Sequence, residues 1–491
     1  MESGVPIPPG HPRGLRTLFF TEMWERFSYY GMRALLVLFM VRAAGEGGMG
    51  LSDEVATAIY GLYTAGVYLM ALPGGWLADR IFGAQKTVWY GGIIIALGHF
   101  TLAMPWTQTF YLGLVLVVVG SGILKPNMSA LVGELYPEGG ARRDAGFTIF
   151  YMGVNLGAAL GPLGCCYLAQ RYGWHWGFAA AGFGMVLGLA QFRCSKHLLG
   201  NAGASSPQHK RVGPVGMGVL AASVAVAAGL IGLCLAGVII IHPLAIARFA
   251  SLVIVFIAVV YFAYVLLFMG LVREEKRRVV LILVLFLASA LFWAGFEQAG
   301  SSFNLFADRY TDRVIGATGF EIPAGWFQSL GAVFVIALAP VMAALWVVLA
   351  RRNWNPSIPV KFALGLLFLA LGFVVMAAAS GFVAAGKQVM PVWLVTTYLI
   401  HTVGELCLSP VGLSSVTKLA PRKLVGQMMG LWFLATALGN LLAGLLAGAF
   451  TVGAIQHWPV MYLKITLLPV AAALLLLLFS RLLKRLAPDV K

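Results

Sequence analysis

The chain is poor in charge. Only 11% of its 491 residues are Asp, Glu, Lys or Arg, against roughly 25% in soluble globular domains. A surface that faces water cannot be built from so few. Soluble linker is scarce too, the most hydrophilic interior stretch being Lys196 to Pro214 (KHLLGNAGASSPQHKRVGP). Five cysteines, Cys165, Cys166, Cys194, Cys234 and Cys407, lack metal-ligand spacing and fall in or beside apolar segments, so they are expected to pack as small apolar residues. Neither H-E-x-x-H nor G-x-S-x-G occurs, and no enzyme reading is left standing. Met1 to Gly14 lacks the charged-then-apolar pattern of a secretory signal and reads as a cytoplasmic tail.

Apolar residues are abundant, at 60% of the chain. They come in runs long enough to cross a hydrocarbon core of roughly 30 Å as helices of about 20 residues. Breaking the runs at charge, proline and glycine gives about fourteen spans, beginning near residues 15, 55, 86, 108, 144, 174, 213, 246, 279, 323, 359, 390, 424 and 459. The formal charge of +16 comes from bases scattered through short loops, which form no basic domain and argue against nucleic acid. Most of these bases fall in alternate loops, and their bias sets both termini in the cytoplasm. The expected architecture is all-α and polytopic. It has a cytoplasmic tail (1–14), a six-helix bundle (15–195), a linker with two extra spans (196–275), a second six-helix bundle (276–486) and a short tail (487–491).

Inside these spans lie Glu22, Glu25, Arg26, Arg33, Lys125, Glu297 and Glu405. Each costs roughly 2.5–3.5 kcal/mol at a helix centre, so such residues face a cavity and act there. On the first span Glu22, Glu25, Arg26, Tyr29, Tyr30 and Arg33 follow three- and four-residue spacing and share one stripe. Incompletely paired carboxylates in such surroundings take up protons readily. A site with both signs suits a zwitterion, whose carboxylate would meet Lys125, Arg26 and Arg33 and whose ammonium would meet Glu297 and Glu405.

The motifs are specific. Glu22-Met-Trp-Glu25-Arg26-Phe27-Ser-Tyr29-Tyr30-Gly31 matches an E-x-x-E-R-F-x-Y-Y-G signature, and Gly74 to Val88 matches an inter-helix loop with Asp79 and Arg80 as a latch. Further matches surround Lys125, Asn155, Glu297, Glu405 and Trp432. Over nearly its whole length the chain resembles the proton-dependent oligopeptide transporters, a branch of the major facilitator superfamily, with the extra pair of spans found in bacterial members.

The resemblance implies a proton-coupled symporter that imports di- and tripeptides across the inner membrane, with protons as coupling ion and no cofactor or metal. A monomer contacting membrane lipid is expected. Transport of nitrate or another small organic anion is the alternative, which Glu405 disfavours because a bare anion needs no ammonium partner. Position by position, the resemblance implies that Arg26, Arg33 and Lys125 hold the peptide carboxyl end, and that Asn155 and Glu405 hold the amino end. Tyr29, Tyr30, Tyr68, Trp293, Ser409, Trp432 and Phe433 would line the cavity. Protons are implied at Glu22, Glu25 and Glu297, with Glu297 pairing Arg33 when ionised, and gating at Asp79, Arg80 and Asp308, the last closing against Arg33. Two departures stand out: Trp326-Phe-Gln328-Ser-Leu-Gly331 lacks the family's final asparagine, and Gly61 stands where animal relatives carry a proton-linked histidine. His401, one turn before Glu405, is a further titratable group, expected to pack rather than to carry protons.

Overall fold

The computed structural model describes residues 10–138, 140–204, 212–316, 319–450 and 452–487. Most of the expected N-terminal tail, residues 205–211 of the hydrophilic stretch and the last four residues therefore lie outside the described residues. The first half holds α1 (Gly14–Val41), α2 (Asp53–Leu77), α3 (Ala84–Leu102), α4 (Thr107–Glu134), α5 (Gly140–Tyr172) and α6 (Trp174–Ser195). Then come α7 (Pro214–Leu235) and α8 (Pro243–Phe268). The second half holds α9 (Arg273–Phe296), a short α10 (Ser302–Tyr310), α11 (Ser329–Arg351), α12 (Ile358–Ala384), α13 (Val392–Leu419), α14 (Val425–Ala447), α15 (Trp458–Leu478) and a short α16 (Ser480–Leu486). The only paired strands among the described residues are β1 (Val314–Ile315) and β2 (Phe320–Glu321), an antiparallel hairpin between α10 and α11.

Among the described residues, twelve helical segments are long and apolar enough to cross a membrane. Two further long helices, α1 with 28 residues and α3 with 19, complete the fourteen expected spans. α1 packs against α5 and α6, and α3 against α4 and α6, which closes the first bundle; α12 against α13 and α15, and α9 against α14, close the second. α7 buries none of its residues, and its apolar surface suits lipid. α8 buries one stripe, Ala247, Ser251, Ile254, Ala258, Phe262 and Val265, where it covers the seam between α2 and α14.

Local chemistry explains the helix ends and breaks that matter. Ser52 caps α2, its Oγ accepting the Val55 N–H, and Asp53 and Glu54 stand in the first turn, where carboxylates favour the helix dipole. Pro126 removes one N–H from α4 directly after Lys125, and Asn127 Nδ2 donates to Ile123 O at 2.7 Å beside that break. α9 gives way at Glu297 to a 3-10 turn, Glu297–Gly300, before α10 begins. Gly300 is required there, because a Cβ at that position would collide with the Tyr60 hydroxyl. Cys165, Cys166 and Cys407 are buried as expected, whereas Cys194 near the end of α6 is exposed.

Candidate functional site

The stripe on α1 is buried: Glu22, Glu25, Arg26 and Arg33 all expose less than a tenth of their surface. Arg26 Nε lies 2.8 Å from Glu22 Oε1 and 2.7 Å from Glu25 Oε2, so two carboxylates compete for one corner of a guanidinium. The second contact is close but poorly directed, and both Glu25 oxygens, Glu22 Oε2 and Arg26 Nη2 have no hydrogen-bond partner. A buried network left half satisfied is unstable by itself and is a place for protons, water or a ligand anion. Ser121 of α4, also buried, stands beside Glu25.

Lys125 on α4 joins this cluster. It lies within electrostatic reach of Glu22, Glu25, Arg26 and Tyr30, and its Nζ sits 4.0 Å from the centroid of the Tyr68 ring. Among the described residues no carboxylate is at ion-pair distance from Lys125. Glu405, half-buried on α13, likewise makes no ion pair among the described residues. Glu405 is within electrostatic reach of Tyr68 and Tyr151 in the other half and of Glu297 in its own. Tyr151 is 44% exposed, and with Glu405 facing it across the halves that exposure belongs to a gap between them rather than to lipid. The first half thus carries an ammonium and the second a carboxylate, neither in an ion pair among the described residues and both in reach of Tyr68.

The other expected lining residues divide. Tyr30 is half-buried and packs on Ala158, Ala159 and Ala332, bridging the halves, while Tyr29 is buried and stacks on Tyr63 with ring centroids 6.0 Å apart. Asn155 donates its Nδ2 to Tyr151 O at 2.9 Å. Trp293 and Phe433 are half-buried, the indole N–H of Trp293 has no partner, and Ser409 is half-buried one turn after Glu405. Trp432 is 6% exposed, with its ring edge-on to Phe362 of α12 and against Gly412 of α13, so in this conformation it packs inside the second bundle. Gln328 Nε2 is buried without a partner, and a Cβ at Gly331 would point into open space. His401 is 2% exposed, bonds Leu369 O at 3.0 Å and is enclosed by Phe303 and Phe373.

At one end the halves are tied together. Arg33 Nη2 meets Glu297 Oε2 at 2.5 Å, and Arg33 Nε donates to the Tyr60 hydroxyl at 2.6 Å. Asn304 Nδ2 donates to Ala34 O at 2.9 Å, and Ser329 Oγ donates to Ala159 O at 2.7 Å. Farther out Arg309 grips Asp53 with two contacts of 2.7 and 2.8 Å, and Arg42 reaches Asp308 at 3.1 Å. The expected closure of Asp308 on Arg33 is therefore wrong. α1 and α9 rise in the same direction, and Asp308 lies 11 residues past Glu297, beyond the 3-10 turn and most of α10. That brings it level with Arg42, nine residues past Arg33. The Asp53–Arg309 pair and the Tyr60 contact were not anticipated at all. Asp79 and Arg80 sit exposed on the turn Ala78–Phe82 at the other end of α2.

α2 and α14 cross most closely at glycine. A Cβ on Gly61 would come within 3.1 Å of Asn440 O and 3.2 Å of Gly444 Cα. A histidine has no room there, and the titratable groups lie instead around the preceding residue, Tyr60, with Arg33 and Glu297.

The profile of the POT family matches residues 85–461. The chain belongs to the POT family. It is 45% identical to the peptide transporter YePEPT of Yersinia enterocolitica subsp. palearctica, over 96% of this chain and 94% of that protein. It is 33% identical to a di-/tripeptide transporter of Lactococcus lactis subsp. cremoris, over 98% of each. Among solved structures, a peptide transporter POT crystallised with alafosfalin superposes with a TM-score of 0.89 at 42% identity, covering 97% of this chain and 96% of that one. This POT member is thus a transporter with the major facilitator arrangement of two bundles, and its half-satisfied charges lie on the first helix of the first bundle.

Proposed function

We propose that the chain imports di- and tripeptides with protons by alternating access in a bacterial inner membrane, as a monomer with both termini in the cytoplasm. The observation that carries this reading is a Lys125 ammonium and a Glu405 carboxylate on opposite halves, neither in an ion pair among the described residues and both in reach of Tyr68. A short peptide presents a carboxylate and an ammonium at its two ends, and these are the features all short peptides share. Lys125 and the free Arg26 Nη2 take the carboxylate, and Glu405 with Asn155 takes the ammonium. Nitrate offers nothing to Glu405. The names of the relatives, which include peptide transporters and dipeptide and tripeptide permeases, support the same substrate class.

The tied end is the outer side, and the structure is closed there. Protonation of Glu297 removes the charge that holds Arg33, and the outer closure loosens. Liposome uptake of a labelled dipeptide, with and without an inward proton gradient and with nitrate as competitor, tests the reading. Uphill uptake that needs the gradient and ignores nitrate is expected. Uptake indifferent to a collapsed gradient, or blocked by nitrate, would overturn it.

A further inference from the structure

At the end away from the Asp53–Arg309 closure, three separate segments converge on one cavity of about 700 Å³. The first turns of α9 bring Glu275 and Arg278, the last turn of α13 brings Thr417 and Lys418, and the connection to α14 brings Arg422 and Lys423. Four cations face one carboxylate. Glu275, which also accepts the Val272 N–H at 3.2 Å, can balance one of them, and the lining keeps a surplus of positive charge. None of the cavity's lining residues is among those placed in the transport site.

Scattered basic loops set orientation, but they do not build a concave volume from three segments. A second observation specifies the ligand. Lys423 Nζ donates to Met269 O at 3.2 Å, at the end of α8, which places the last turn of α8 at the rim. That turn exposes Leu267 at 70% and Phe268 at 75%. A cationic concavity therefore abuts an apolar ridge, the arrangement that takes a polar headgroup and its acyl chains together.

We infer that this cavity binds a phosphate-bearing anion, supplied by the headgroup of an anionic phospholipid whose chains lie along α8. Free inorganic phosphate shares the headgroup chemistry but gains nothing from the ridge. Bound there, the lipid ties α8 to α9, α13 and α14, reinforcing the contacts from Tyr261 to Gln427 and from Lys423 to Met269 O. The inference rests on the membrane placement of the chain and not on its peptide substrate.

The test is native mass spectrometry of the full chain in detergent, titrated with dioleoylphosphatidylglycerol, dioleoylphosphatidylcholine or inorganic phosphate. One phosphatidylglycerol should be retained in preference to phosphatidylcholine. Lys418→Gln with Arg422→Gln, both exposed positions, should weaken it by roughly thirtyfold, as removal of two charges beside an anionic headgroup does. Arg351→Gln with Arg352→Gln, exposed at the end of α11, removes the same charge without lining the cavity, and should change affinity by no more than about twofold. Inorganic phosphate that competes the lipid off in the wild type would make the soluble anion the ligand of the same site. Equal retention of phosphatidylcholine, or equal weakening in both double variants, would overturn the inference.

Discussion

The Asp53–Arg309 pair gives the sharpest test of how the tied end is held. Two charge-assisted contacts of 2.7 and 2.8 Å join α2 to α10, and the side chains expose only 9% and 19% of their surface. Hydrogen bonds to charged groups stabilise by about 1.5–3 kcal/mol, and a bidentate pair at a partly dehydrated rim falls near the upper part of that range. The pair exists only while the halves are closed at this end, so Asp53→Ala removes about 2–3 kcal/mol from the closed state relative to the open one. At 1.4 kcal/mol per tenfold, the closed-to-open ratio falls by about 30- to 150-fold. A ratio starting at about 1,000 to 1 would drop to about 10 to 1, enough to show a minor population.

Spin labels at Gly45→Cys and Lys387→Cys, both exposed at this end, report the opening in a distance distribution. The exposed Cys194 must first become Ser. Asp53→Ala should add a long-distance component absent from the parent. Asp53→Arg with Arg309→Asp should remove most of it, while either single reversal should enlarge it. An unchanged distribution in Asp53→Ala, or a double reversal no better than its parts, would mean that this pair does not hold the closure.

Four further outcomes follow from the site. Lys125→Gln should raise KM for a dipeptide by about tenfold or more with little change in melting temperature, because no ion pair within the protein is lost; measurement in proteoliposomes decides it. For Glu405→Gln, the parent's preference for a free over an N-acetylated dipeptide should shrink to about threefold or less, since the partner of the ammonium is gone; a preserved preference in competition assays counts against the assigned role. Glu25→Gln should abolish gradient-driven accumulation yet leave counterflow measurable, and unimpaired uphill uptake would remove that acid from the coupling. Gly61→Val pushes a side chain into Asn440 O and Gly444, and should destabilise the fold by about 1–3 kcal/mol, read as a lower melting temperature in detergent.

The helices were legible because each span ends in charge, proline or glycine and because lipid allows little else between such ends. Arg33 and Glu297 were expected to meet only through the family's motifs, since nothing in the spacing of one helix locates a partner on another. Asp308 was misassigned because level along parallel helices depends on where α9 breaks and how far α10 rises. Asp53 follows a serine cap and looks like ordinary dipole chemistry, so its second partner, Arg309, was invisible. Trp432 resembled a cavity aromatic, but one face of α14 serves both the cavity and the packing on α12, and a sequence does not divide them.

The two groups of charges do different work because their partners differ. Arg33 and Glu297 belong to opposite halves, so their pairing is a statement about which end is closed. Glu22, Glu25 and Arg26 belong to one helix, and their pairing does not change when the halves move. What changes there is occupancy. In the proposed binding mode, a peptide carboxylate arriving at Lys125 and Arg26 Nη2 would bring a third negative charge beside Glu22 and Glu25, and it would be repelled unless a proton entered with it. By linkage the proton then favours the peptide by the same factor. In the proposed scheme, substrate binding would set the charge state of the first helix, and the Arg33–Glu297 pair would set the closure between the halves. The half-buried Tyr68, in reach of Arg26, Arg33, Glu297 and Glu405, stands where the two are read together.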